Sequence, residues 1–183
     1  MKRDWLLQRL SQYQPVDAHE QAMFERLRRF VMKQPDCFER SLGIGHITGS
    51  AWVVDLLREK VLLTRHHRLD KWLQLGGHAD GDPNVLRVAL REAREESGIE
   101  DIRPLCESIY DLDVHEIPAR GEQPAHLHYD VRFLFEADAS RPLGITPESK
   151  ALAWVKLCEV ESLTRERSVL RMVEKSPSPP LSP

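Results

Sequence analysis

Cysteine is scarce in this chain: only Cys37, Cys106 and Cys158, far apart and odd in number. They offer neither a disulfide framework nor the paired spacing of a zinc site, which suits a reducing compartment. An excess of charge of either sign is also missing. Lys and Arg total 26 and Asp and Glu 29, a formal net charge of −3, so no basic field advertises nucleic acid. No apolar run approaches the roughly 20 residues of a membrane-spanning helix. The start, "MKRDWLLQRL", meets Arg9 too soon to hold the core of a secretion signal. Nothing repeats. These absences lead to the expectation of a cytoplasmic protein with neither nucleic acid nor membrane as partner, and 183 residues suffice for one domain with a proper core.

What is present is a change of texture along the chain. Residues 3–33 read as two helices broken near Pro15, with Asp17 and Glu20 spaced as a capping box. Met23, Phe24, Leu27, Phe30 and Val31 recur at helical spacing, so this segment needs a surface to pack on. Arg26, Arg28 and Arg29 form its solvated face. From Gly45 onward, "ITGSAWVVD" and "KVLLTRHH" read as a strand pair, and "CESIYDLDVHEI" and "HLHYDVRFLFEA" as two more strands. In the last of these Leu127, Tyr129, Val131, Phe133 and Phe135 alternate with His126, His128, Asp130 and Arg132, giving one oily and one polar face. "ALAWVKL" makes a further strand, 159–174 a last helix, and the Pro/Ser-rich end a disordered or extended tail. The expected organisation is a helical extension over 1–44, a domain over 45–175 and a tail over 176–183. Strands mixed with helices imply an α/β sandwich around a mixed sheet.

The stretch "GGHADGDPNVLRVALREAREESGI", residues 76–99, poses the chemical question. Asp82 is a good N-cap with Pro83 at the first helical position, and Gly98 supplies a left-handed C-terminal residue. At 100° per residue, Leu86, Ala89, Leu90 and Ala93 form a core stripe, while Glu92, Glu95 and Glu96 gather in a separate arc. Three carboxylates in the last turns oppose the helix dipole. Glu95 has Arg91 four residues earlier, but Glu92 and Glu96 have no basic residue at helical spacing. A divalent cation would reverse both penalties, and clustered hard oxygens suit Mg2+ or Mn2+ rather than zinc. A glycine-rich loop joined to such a helix points to phosphate chemistry.

These residues resemble the Nudix box, Gx(5)Ex(7)REUxEExGU, in which U is a bulky aliphatic residue. Gly77 matches its first position, and Arg91, Glu92, Ala93, Glu95, Glu96, Gly98 and Ile99 match its second half in register, Ala93 being a small version of U. "WLQLGG" looks like the family's WxLPGG entry and "ESKALAWVKL" like its late strand, so the resemblance covers about residues 45 to 160. Two positions depart from the pattern. Pro83 stands where the box has its first glutamate, read here as altered capping by Asp82, and Leu75 replaces the usual proline.

The resemblance implies a Nudix-type α/β/α sandwich and a metal-dependent pyrophosphohydrolase acting on nucleoside-diphosphate derivatives with Mg2+ or Mn2+. It also implies roles by position. Glu92 and Glu96 would bind metal, Glu95 would bind metal or be held by Arg91, and the Gly77 carbonyl would complete the sphere. Glu95, Arg91 and Glu148, the last from a loop before the late strand, would serve catalysis. His78 in the box loop is a candidate for touching substrate or metal, and His126 and His128 on one polar strand face are candidates for holding a ligand, although an exposed or hydrogen-bonded role is the simpler account of all three. A catalytically weak or idle Nudix domain that binds a nucleotide or protein is the competing reading, kept open by Pro83. The window where the ADP-ribose and dinucleoside-polyphosphate branches carry a marker proline or tyrosine holds Val114, His115, Glu116 and Ile117, with neither marker, so the substrate stays open, as does a homodimer.

Overall fold

The structure, a computed structural model, describes residues 2–67, 69–121, 124–144 and 149–178. In chain order its elements are α1 (Asp4–Gln12), α2 (Ala18–Lys33), β1 (Gly45–Asp55), β2 (Lys60–His66), β3 (Trp72–Leu73), β4 (Leu75–His78), α3 (Val85–Ser97), β5 (Arg103–Pro104), β6 (Asp111–Ile117), β7 (His126–Ala137), β8 (Ser149–Lys156), α4 (Val160–Leu163) and α5 (Arg167–Lys175). The strands join in the order β3-β2-β1-β7-β5, with β4 also on β1, β6 on β7 and β8 on β2. The chain forms two compact units, one of residues 1–50, 77–89 and 107–133, the other of 51–76, 90–106 and 134–183.

In the first unit the expected pair of N-terminal helices is present. Asp17 caps α2 by accepting from the Glu20 N–H at 2.7 Å. The buried Glu20 carboxylate takes the Val16 N–H at 2.7 Å and the Tyr13 hydroxyl. Leu6, Leu10, Leu27, Phe30 and Val31 are buried, and Phe30 stacks on Tyr129 of β7 at 3.8 Å with the rings 3° from parallel. Arg3 donates to the carbonyls of Val31 and Met32, both at 2.8 Å, satisfying acceptors that the end of α2 leaves open. Arg26, Arg28 and Arg29 are exposed, as the helical spacing requires.

β6 and β7 pair antiparallel from Asp111↔Arg132 to Ile117↔His126. Side chains directly opposite share a face. Asp111, Asp113 and His115 therefore line up with Arg132, Asp130 and His128. The polar face of β7 is as buried as the oily one: Asp130 and Arg132 are each only 2% exposed. At the start of β1, Gly45 has φ +142°, and a Cβ there would run into the Leu127 carbonyl. That close approach sets His46 beside β7.

In the second unit, β1 turns into β2 around Asp55, whose Oδ1 accepts from the N–H groups of Glu59 and Lys60, both at 2.8 Å. β2 pairs antiparallel with β8 from Lys60↔Lys156 onward, burying Val61, Leu62 and Leu63. Trp52 donates its indole N–H to Ser176 at 2.9 Å, which ties down the chain just after α5. Residues 179–183 lie outside the described residues.

Three expectations need correction. The strand read over 106–117 begins only at Asp111. The single helix read over 159–174 is a 3-10 turn at Leu157–Glu159 followed by α4 and α5, because Thr164 turns extended and its hydroxyl accepts from the Glu166 N–H at 3.3 Å. The short strands β3, β4 and β5 were not foreseen, since two to four residues are too few to show a period.

Candidate active site

α3 starts later than the sequence implies. Its N-cap is Asn84, whose Oδ1 accepts from the Arg87 N–H at 3.1 Å, the third helical position. Asp82 works one step upstream: Oδ1 accepts from the Asn84 N–H at 2.9 Å, and the two carboxylate oxygens hold Arg87 at 2.7 and 2.8 Å. Pro83 is thus in the turn before α3, not at its first position. The other end behaves as expected, with Gly98 at φ +72° and its N–H on the Arg94 carbonyl at 2.8 Å.

The core stripe also differs from expectation. Val85, Val88, Ala89 and Ala93 are fully buried, while Leu86 and Leu90 are only half-buried. On a helical projection Glu92 and Glu96 fall in the middle of that buried arc, not apart from it. Glu96 is 7% exposed and its Oε2 accepts the Gly76 N–H at 3.0 Å. Glu92 is bonded by its immediate neighbour Arg91 at 2.6 Å, so the helical-spacing argument overlooked a real partner. A flexible arginine can curl back on the next residue where a short side chain could not. Glu95, for which Arg91 seemed the natural partner, is 3.9 Å from it and has a 64% exposed side chain.

A second cluster lies in the first unit. His46 from β1, His78 from the end of β4 and His128 from β7 each offer a ring nitrogen, and those atoms all lie within 4.8 Å of one another. His126 is 5.1 Å from His46 and 5.3 Å from His128, and His115 5.5 Å from His128, between ring centroids. Burial, and then the neighbouring His78 and His126, lower His46 to about 4. Burial, with His78 and His115 next, lowers His128 to about 2. His46 and His128 are therefore neutral imidazoles at neutral pH.

Beneath it runs a buried charge network. Arg132 donates to Asp130 at 2.7 Å and to Asp111 at 3.0 Å and lies 3.5 Å from Asp113; Asp130 also accepts from the hydroxyls of Thr48 and Ser50, both at 2.8 Å. Burial pulls against the guanidinium charge, but Asp130, Asp111 and Asp113 together raise the Arg132 pKa above its ordinary value. Asp113 in turn holds Nδ1 of His115 at 3.2 Å.

The NUDIX domain profile matches residues 47–174, more than two thirds of the chain. The chain belongs to the NUDIX family. It is a Nudix hydrolase, an enzyme acting on acid anhydrides of phosphorus. Among curated proteins none matches it. Solved structures do: a C. elegans Ap4A hydrolase, 16% identical with a TM-score of 0.57, covers 70% of this chain and 93% of its own. An E. coli dihydroneopterin triphosphate pyrophosphohydrolase, 17% identical with a TM-score of 0.57, covers 70% and 92%. A MutT protein from Methanosarcina mazei Go1, 18% identical with a TM-score of 0.56, covers 73% and 94%. These likenesses establish the α/β fold of the family.

Within this Nudix hydrolase, Arg91, Glu92, Glu95 and Glu96 share the second half of α3, and Gly77 and His78 end β4. Glu148 lies outside the described residues. His78, His126 and His128 come together, though only as part of a larger cluster. His46 and His115 escaped the sequence reading, since each is a lone histidine in a strand. Only Gly45 before His46, and the i, i+2 alternation of Asp113 and His115, hint at either.

Proposed function

We propose that the chain is a metal-dependent pyrophosphohydrolase that cleaves the diphosphate of a nucleotide or nucleoside-diphosphate derivative, with Mg2+ or Mn2+ as cofactor. The observation carrying this reading is that Glu92 and Glu96, two acids one helical turn apart, sit on the buried arc of α3. Like charges so placed cost stability unless a cation joins them. The donor set is all hard oxygen, which fits Mg2+ or Mn2+ and not a thiophilic ion. Glu92 and Glu96 would hold the ion, assisted by Glu95 and, on the family's motif alone, the Gly77 carbonyl. When bound, the ion neutralises pyrophosphate oxygens and lowers the pKa of an attacking water.

The chain's own residues supply the rest. Arg91 fixes the Glu92 rotamer, and the Gly76 N–H orients Glu96. Both ligands are thus ordered beforehand, at little entropic cost on binding. Glu95, exposed and loosely held, is free to accept a proton from water. Glu148 keeps its assignment to catalysis by its place in the sequence, and His78, His126 and His128 keep theirs to the substrate. That the C. elegans structure is named for Ap4A hydrolysis and the E. coli one for dihydroneopterin triphosphate supports a phosphorylated small molecule as substrate. We assign residues 1–44 to an N-terminal helical extension, 45–175 to the hydrolase domain and 176–183 to a tail, in a cytosolic protein.

Phosphate release from a panel of nucleotides, coupled to a phosphatase, with Mg2+ or Mn2+, tests the reading. The parent should turn over at least one phosphoanhydride, and Glu92→Gln and Glu96→Gln should each lose most of the rate. Full turnover in both variants, or no turnover of any nucleotide by the parent, would reject it.

A further inference from the structure

The histidine cluster asks for an occupant of different chemistry. Both ring nitrogens of His46, and Nε2 of His126 and His128, are buried with no hydrogen-bond partner among the described residues. Native proteins rarely leave buried polar atoms unanswered. Those of His46 and His128 converge with a third imidazole: the ligand nitrogens of His46, His78 and His128 lie within 4.8 Å of one another. Four-coordinate zinc holds imidazole nitrogens at about 2.0–2.1 Å, hence about 3.4 Å apart, a contraction that small ring rotations can supply.

An anion is the poorer occupant. It would need charged imidazolium donors, and burial among other rings opposes that charge. A cation of the hard class is also poorer, because neutral imidazole suits Zn2+, Co2+, Ni2+ and Cu2+ over Mg2+. Two further histidines, His115 and His126, flank the three rings. Nδ1 of His126 donates to the Pro124 carbonyl at 3.0 Å. Nδ1 of His115 faces the Asp113 carboxylate, itself fixed by Arg132.

We propose that His46, His78 and His128 form a three-imidazole site for one first-row transition ion of the Zn2+ class, with a fourth position for water or a substrate oxygen. This site is separate in residues and in chemistry from the carboxylates of α3, and it stands whether or not those bind Mg2+.

The probe is Co2+ added to the chelator-stripped full chain, followed by visible absorption, in the parent and in a Glu92→Gln/Glu96→Gln double variant. The site requires one equivalent of Co2+ bound in both, with the ligand-field bands of a low-symmetry centre, displaced by Zn2+ and untouched by excess Mg2+. His46→Gln and His128→Gln should each weaken Co2+ binding by more than about 100-fold, beyond the range of outer-shell partners. X-ray absorption of the Zn2+-loaded parent should show imidazole scattering, which keeps the test valid if a histidine variant loses its fold. No stoichiometric binding in the parent, an oxygen-only shell, or binding lost in the glutamate double variant but kept in folded histidine variants would overturn the site.

Discussion

The backbone N–H of Gly76 donates to Oε2 of Glu96 at 3.0 Å, so a box carboxylate is anchored to the glycine-rich loop before any cation arrives. Glutamine keeps an acceptor oxygen there and removes the repulsion with Glu92. Apo Glu96→Gln should therefore melt within about 0.5 kcal/mol of the parent. Glu96→Ala strands a buried N–H and should lose about 1–3 kcal/mol. The stabilisation that Mn2+ gives the parent by linkage should vanish in both. Thermal melts with and without Mn2+ decide. Equal stabilisation of Glu96→Gln by Mn2+ would remove the glutamate from the ligand set.

Arg91 serves Glu92 more than Glu95. Arg91→Ala should cost little stability, under about 1 kcal/mol, because the guanidinium is partly solvated. Turnover should fall at least several-fold as Glu92 loses its fixed rotamer, with the loss in kcat rather than KM. A steady-state comparison in which only KM rises would assign Arg91 to substrate binding.

Arg132 is 2% exposed and serves Asp111 and Asp130 at hydrogen-bonding distance. Arg132→Met leaves buried aspartates without their counter-charge and should cost about 3–5 kcal/mol. Chemical denaturation gives the number. A loss under 1 kcal/mol would mean the aspartates take up protons or water with ease.

Acid should destabilise the fold through the histidines. His46 titrates at about 4 in the folded chain against an ordinary 6.5, so between those values the unfolded chain binds the extra proton. Stability is complete above about pH 6.5 and falls as the pH drops towards 4, by on the order of 3 kcal/mol from this residue. His78, His126 and Arg40 push in this direction and Asp80 opposes it. Metal-free parent and His46→Gln, melted at pH 7 and pH 4.5, should differ in slope, with the variant the flatter. Parallel curves would place His46 in a wetter setting.

How legible this was in the sequence depended on range. The helix ends, the alternation in β7 and the box glutamates follow local rules, and Asp17, Gly98 and the Phe30 stripe stand where those rules put them. Capping by Asn84 was hidden behind Asp82, since both are good caps two residues apart and only the Arg87 bond separates them. The inward direction of Glu92 and Glu96 was missed because a carboxylate is assumed to mark the wet side of a helix. The histidine cluster was the least legible part. His46 and His128 are 82 positions apart, and no periodicity encodes that meeting.

The pairing of β6 with β7 has one more consequence. Asp111, Asp113 and His115 of β6 share a face with His128, Asp130 and Arg132 of β7 in the observed register. A slip of one residue would send Asp111 and Asp113 to the side opposite Arg132, leaving it only Asp130 of its own strand as counter-charge. Misaligned hairpins are therefore too costly to persist, and the bonds that seat the imidazoles also proofread the folding of the strands that carry them.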